Sequence, residues 1–418
     1  MRDDETARRR TVREPLALRG FRSYWLASTS GFTALAVSTV AVDVLVIDIL
    51  AASEAQVGLV RAVQFLPYLL LGLLAGAYVD RWRRRPVLVV GHLVQAMMLT
   101  AIPVLFVIGA LTIGATAGIL FAIGCSGVFI AAAERSYLPD LVPRRALVLA
   151  NARVGQSLTV AETSGPALGG ALVGIVGAPM TLLISAAGRV VSAVMIGKVR
   201  RPEPAPRPDH PRLWRAIADG LRFTYRHRTL APLAISTNIW FLANSISLTV
   251  LALFVLRGLG LAAVVYGLML TAVGVGGLMG ALCATRAAVR LGEGDVIIVA
   301  RIVCALTWVM MALTPVHAES WGVVTYLIVV LGIYGFSMGA EEPSEMAFRQ
   351  SATERSMLGR VNATMRSANR TAALLGAASG GVLVGVVGFR PTFAVVAVIF
   401  MVAVLVALLS PLRGARSR

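Results

Sequence analysis

Residues 76–91 read GAYVDRWRRRPVLVVG: one acid, Asp80, with four arginines and Pro86, set between two long apolar runs. In a chain that crosses a lipid bilayer, spans of about 20 apolar residues fill the roughly 30 Å hydrocarbon layer and polar groups are squeezed into the links. Working outward from this link, apolar runs fall at 24–50, 57–78, 87–108, 113–134, 149–174 and 178–197, and again at 230–255, 265–285, 296–314, 321–340, 361–386 and 391–410. The 418 residues are 57% hydrophobic and 14% charged, against about 45–50% and about 25% in soluble domains. The composition therefore predicts an all-α membrane protein with twelve transmembrane helices.

The net charge of +18 would point to nucleic acid if it were spread over a soluble surface. Here it is confined to alternate links. Arg81, Arg83, Arg84 and Arg85, then Arg144 and Arg145, the linker 198–229, Arg286 and Arg290, and Arg349, Arg355 and Arg360 all fall in even links, whereas the odd links carry only Arg257 and Arg390. The positive-inside rule puts the even links and both termini in the cytoplasm, so the expected partner is the lipid bilayer and no nucleic acid. The single lysine, Lys198, follows Gly197 and precedes Val199, which excludes a phosphate-cradling Gly-Lys-Ser/Thr loop. Cys125, Cys283 and Cys304 lie in apolar runs without common spacing, and the four histidines show no ligand pattern, so no metal site and no disulfide frame are expected. The first apolar run is too long for a signal-peptide core, and the first span is expected to stay in the mature chain.

The chain divides into a tail at 1–23, a bundle at 24–197, a linker at 198–229, a second bundle at 230–410 and a tail at 411–418. Prolines 202, 204, 206, 208 and 211 stiffen the start of the linker. Beyond them Leu213, Trp214, Ile217, Leu221 and Tyr225 share one helical face, the pattern of a helix lying on a membrane surface. The two bundles repeat: GPALGGALVGIVG at 165–177 matches GAASGGVLVGVVG at 376–388, and the same offset of 211 pairs Asn151 with Asn362, Arg144 with Arg355, Glu134 with Glu345, Ser126 with Ser337 and Gly124 with Gly335. Parallel six-span repeats are the organisation of transporters that rock two bundles about a central site.

These residues resemble the major facilitator superfamily along the whole chain. Gly76, Asp80, Arg81, Arg84 and Arg85 are similar to its signature after the second helix. The resemblance implies the major facilitator fold, two six-helix repeats, with Asp80 facing the helix start near Val361 and helping to hold a contact between bundles. Gly72 and Gly76, one turn apart, would let helix backbones approach. Arg83 stands where the family often has glycine, and Ala284 stands where the second repeat would place its acid. Gly165, Pro166, Gly169 and Gly170 resemble the fifth-helix motif of exporters, with Ala377 replacing the proline in the second copy. The segments LPDLVPRRALVLANAR and MLGRVNATMRSANRTAALLGAASGG are similar to the branch that holds enterobactin exporters and macrolide efflux proteins.

An ionisable group inside the bilayer is expensive and so a functional suspect. Asp43 and Glu162 fall within spans; each is either a proton carrier or a structural partner of an arginine, Arg61 or Arg189 in the case of Glu162. Arg61 meets an anionic substrate or only the interface, and Arg189 snorkels inward. Asn238, Trp240 and Asn244 suit a cavity wall for a bulky amphipathic ligand, although interfacial packing is the simpler role for a tryptophan. Glu134 and Glu345 are expected to pair with inner-link arginines such as Arg81 and Arg85 rather than with substrate, and Glu341 and Glu342 share that choice. The expected protein is a secondary exporter in a bacterial cytoplasmic membrane, acting as a monomer on a siderophore, macrolide or other drug, with a proton gradient in place of any cofactor. A proton-coupled importer and a membrane-embedded enzyme are the alternatives, and no nucleophile, base and acid set supports the latter.

Overall fold

A computed structural model describes residues 15–79, 81–199, 213–314, 321–354 and 357–413, without the side chains of 73, 76, 77 and 213–217. Asp80, the side of Gly76 and the proline-rich 202–211 thus lie outside the described residues. The helices are α1 Arg19–Val44, α2 Glu54–Val79, α3 Arg84–Val107, α4 Ile113–Leu141, α5 Leu147–Val176, α6 Ala178–Gly197, α7 Leu213–Arg226, α8 Leu230–Leu253, α9 Ala263–Leu291, α10 Glu293–Ala312, α11 Trp321–Ser351, α12 Leu358–Val387 and α13 Phe389–Leu408. Twelve are long, and α7 is the short linker helix. Helices follow because a lipid-embedded backbone must satisfy its own N–H and C=O groups. Among the described residues eleven helices are long and apolar enough to cross a membrane. The fifth expected span, α5, runs for 30 residues and carries Asn151, Arg153, Gln156 and Glu162; it is not among those eleven.

The repeat is visible in the backbone. Helices α5 and α6 recur as α12 and α13 at an offset of 211 at both ends, and each pair turns on a left-handed glycine, Gly177 and Gly388, both at φ 80°. At the C-terminal ends of α1 and α8 the helix widens into π turns, Leu45–Ile49 and Phe254–Gly258. Ala51 follows the first with φ 47°, and Gly260 follows the second with φ 62°.

Two compact units emerge, residues 1–42 with 70–210 and residues 43–69 with 211–418. In this division 43–69, the end of α1 and the start of α2, packs with the second half of the sequence. In the first unit α5 lies on α1, where a Cβ on Gly169 would sit 2.6 Å from the Val37 carbonyl oxygen and one on Gly165 would overlap Ala36. Phe21, Tyr24, Leu88, Tyr137 and Ile196 close its core. In the second unit the same glycines of the repeat, Gly376 and Gly380, seat α12 on α8 at Leu242 and Ile246. Helices α9 and α11 meet through Gly276, Gly280, Gly335 and Gly339, whose Cβ positions would overlap the facing backbone. Aromatic rings fill the remaining interior: Trp308 meets Tyr334 at 5.4 Å and Phe393 at 5.7 Å, and Trp240 packs edge-on against Phe400.

Helix α7 forms where the amphipathic pattern predicts it, but it does not simply rest on the bilayer. Gly220 presses on Arg360 and Thr364 of α12, Thr224 is fully buried and Leu221 faces out, and Arg360 pairs with Asp219 at 3.3 Å. The small residues at 220 and 224 make this docking face together with Tyr225 of the expected one, and the side chains of Leu213, Trp214 and Ile217 lie outside the described residues.

Candidate functional site

Asp43 ends the regular part of α1 and is buried, with 6% of its surface exposed. One of its oxygens, Oδ2, accepts from Arg61 Nη2 of α2 at 2.6 Å and from the Tyr266 hydroxyl of α9 at 2.8 Å. Arg61 also reaches the Tyr266 oxygen at 3.4 Å. Charge-assisted bonds of this length are strong, and burial weakens the competition from water. Arg61 is therefore spent on Asp43, a partner that neither the substrate nor the interface role foresaw.

A second tie lies in the same unit. The guanidinium of Arg257, in the π turn after α8, donates from Nη2 to the carbonyls of Ile47 and Ala52 at 3.1 and 2.7 Å and from Nη1 to Glu54 at 3.0 Å. Helix termini leave carbonyls without partners, and π turns and a left-handed residue here aim two of them at one side chain. Close packing completes the junction: a Cβ on Gly58 would lie 2.7 Å from the Ala377 carbonyl. Segment 43–69 of the first repeat is thus fastened to α8, α9 and α12 by the Glu54–Arg257 ion pair, the Tyr266 phenol, a carbonyl clamp and a glycine contact.

A third cluster is internal to the second unit. Arg301 of α10 is fully buried and donates from Nε to Glu341 of α11 at 2.8 Å, from Nη2 to Thr237 of α8 at 2.9 Å and from Nη1 to Ser236. Glu345, one turn beyond Glu341, pairs with Arg349 at 3.3 Å, while Glu342 is exposed. In the first unit Arg189 is buried rather than snorkelling. Its guanidinium lies where a Cβ on Gly31 would meet it at 3.3 Å, beside His92 and Ser192, and its charge acts on Glu134.

Several expected site residues take other places. Glu162 is exposed on α5 instead of buried, because the buried face of that helix is taken by Ala161, Gly165, Pro166, Gly169 and Gly170. Trp240 is buried among rings, against Phe241 and Phe400. Asn238 donates to the Tyr225 hydroxyl of α7 at 2.7 Å and so anchors the linker helix, and Asn244 accepts from the Tyr334 hydroxyl. Gly72 is open: a Cβ there would meet nothing within 4 Å, so it brings no backbones together. Arg81 is exposed just after α2, and Arg85 caps the last turn of α6 at the Gly197 carbonyl. Arg84 is half-buried at the start of α3. Tyr266, Arg301 and Arg257 were not singled out by the sequence reading. The first two stand inside apolar runs, and a search of the spans for arginines as well as acids finds Arg301.

Comparison with known proteins agrees with this architecture. Residues 11–337 match the family described as transmembrane secretion effector, of the major facilitator type. The multidrug efflux pump Tap of Mycobacterium tuberculosis is 27% identical over 384 residues, 86% of each chain. An MFS-type transporter of Sinorhizobium fredii, y4rN, is 31% identical over 253 residues, 60% of each chain. Among solved structures, the nucleoside transporter NupG superposes with a TM-score of 0.74 at 13% identity, covering 93% of this chain and 98% of that one. A bacterial homologue of the iron transporter ferroportin in its inward-facing state gives 0.72 at 17% identity, covering 94% and 98%. At those identities the structures speak for the fold alone. The chain belongs to the transmembrane secretion effector family of major facilitator transporters, multi-pass membrane proteins that are carriers and not enzymes.

Proposed function

We propose that the protein exports a bulky amphipathic small molecule, a drug or a siderophore, across a bacterial inner membrane in exchange for protons, with both termini in the cytoplasm. The likeness to a multidrug efflux pump over 86% of the chain and the exporter-type glycines of α5 support the direction, and the arginine distribution supports the orientation. The observation that carries the coupling is the single oxygen of Asp43 shared by Arg61 and Tyr266. A charged Asp43, fixed by Arg61 of its own segment, accepts from Tyr266 of α9 and so ties segment 43–69 to the second half on the side that the positive-inside rule places outside. Protonation removes the charge that Arg61 and the Tyr266 hydroxyl share, so the tie across to α9 loosens and the outer side opens when the carboxyl takes a proton from outside, and reclosure re-forms both bonds and discharges that proton to the cytoplasm. An inward proton gains about 2.3 kcal/mol per 100 mV of membrane potential, sufficient to drive substrate uphill.

The test uses everted membrane vesicles with an acidified lumen and a fluorescent amphipathic dye. Wild-type vesicles should accumulate dye and lose it when a proton–potassium exchanger collapses the pH difference. Asp43→Asn, matched for protein content, should lose at least tenfold in gradient-driven rate. Dye movement indifferent to the gradient, or an unaffected Asp43→Asn variant, would reject proton antiport at this site. The substrate class separates by phenotype of a deletion strain: loss of secreted iron chelator for a siderophore, altered antibiotic sensitivity for a drug.

A further inference from the structure

Arg370 lies close to the centre of α12, Leu358–Val387, where a spanning helix is deepest in the membrane. Its guanidinium carbon stands 4.9 Å from the ring centroid of Tyr68 and 5.9 Å from that of Phe65, both on α2. Among the described residues no carboxylate lies within ion-pair distance of it. Ring faces attract the cation but accept few of its five N–H donors, so a half-buried arginine at this depth keeps donors unspent. Asp43 of α1, the acid bonded to this stretch of α2, is already held by Arg61, one helical turn from Phe65.

From this geometry we infer a ligand site formed by Arg370, Phe65 and Tyr68 that takes a flat aromatic organic anion, its acid group on the guanidinium and its ring against the two side chains of α2. An organic cation finds no counter-charge there. The inference deepens the export reading by giving the substrate's charge class, and it rests on that reading only for what the bound anion is for. It also links ligand to proton: Arg61, Phe65 and Tyr68 lie on one stripe of α2, so a ligand that moves the two rings acts on the helix that carries the Asp43 tie.

Binding is read without a gradient, on the full chain purified in detergent, by calorimetric titration with naphthalene-2-carboxylate and, as its opposite in charge, 2-naphthylmethylammonium. Wild type should bind the carboxylate at least tenfold more tightly than the ammonium. Arg370→Gln should weaken the carboxylate at least tenfold, Arg370→Lys should retain part of it, and Tyr68→Leu should weaken it severalfold. Equal binding of the two probes, binding of neither, or a carboxylate affinity unmoved by Arg370→Gln would overturn the site. Should Arg370→Gln fail to fold, the charge preference of wild type and the Tyr68→Leu and Arg370→Lys affinities decide the matter in the same way. Anion binding that persists while vesicle export fails would count against the export reading alone; export that persists while the titrations fail would count against this site alone.

Discussion

Arg301 shows what a single side chain can demand of its surroundings. It is fully buried, and three helices supply its partners: Glu341, Thr237 and Ser236. Removing one partner of such a pair strands the other, at a cost of about 3–5 kcal/mol, whereas replacing both with apolar groups is often neutral. Arg301→Met should therefore lower the apparent Tm of purified protein sharply, and Arg301→Met with Glu341→Leu should recover most of the loss. If the double variant also lost transport while folding normally, the pair would have a role in the cycle beyond packing. Ala51 offers a smaller test. Its φ of 47° costs an L-residue roughly 1–2 kcal/mol, and its repeat counterpart Gly260 carries no such penalty. Ala51→Gly should leave thermal stability equal or raised by up to about 1 kcal/mol, and Gly260→Ala should lower it by a similar amount. At this scale the sequence was only partly legible. Asp43 stood out because an acid in an apolar run is conspicuous, but its partner Tyr266 lies more than 200 residues away, and nothing local to either residue announces which helices will be neighbours. The burial of Trp240 is hidden from the sequence for the same reason: it depends on Phe400.

Elements were far easier to read than partners. All twelve long helices arise from the apolar runs, since in lipid only a closed backbone is tolerated. What the runs understate is how far helices continue past the hydrocarbon: α4 reaches Leu141 and α11 reaches Ser351, carrying Glu134 and Glu345 inside helices instead of at their ends. Glycine roles are settled between elements, and two of them separate cleanly. A methyl at Gly169 would press on the Val37 carbonyl of α1, while one at Gly72 would meet open space. Gly169→Ala should cost about 1–3 kcal/mol through overpacking, and Gly72→Ala should be neutral or gain up to about 1 kcal/mol from helix propensity, both measured by thermal unfolding of purified protein. Comparable loss in both variants would mean that Gly72 also serves a close contact. Gly165 and Gly169 of α5 are thus packed against α1, whereas Gly72 of α2 faces open space.

The whole molecule was legible as a duplication, because matching glycines at Gly177 and Gly388 keep their register and their backbone conformation over 211 residues. The exception to the duplication is informative. Residues 43–69 pack with the second half, and that choice rests on ties made by side chains, Tyr266 to Asp43 and Arg257 to Glu54 and the Ile47 and Ala52 carbonyls, which no repeat can foretell. The fastening is also where the cycle must come apart if a proton opens the outer side. Distances between spin labels at Ala55 and Ala262, both exposed, report on it directly, in protein whose native cysteines Cys125, Cys283 and Cys304 are replaced by serine or alanine. With wild-type Asp43 a single short distance is expected at alkaline pH and an added longer one at acidic pH, and Asp43→Asn should show the longer distance at both. One short distance, unmoved by pH and by Asp43→Asn, would contradict a proton-released latch at this carboxylate.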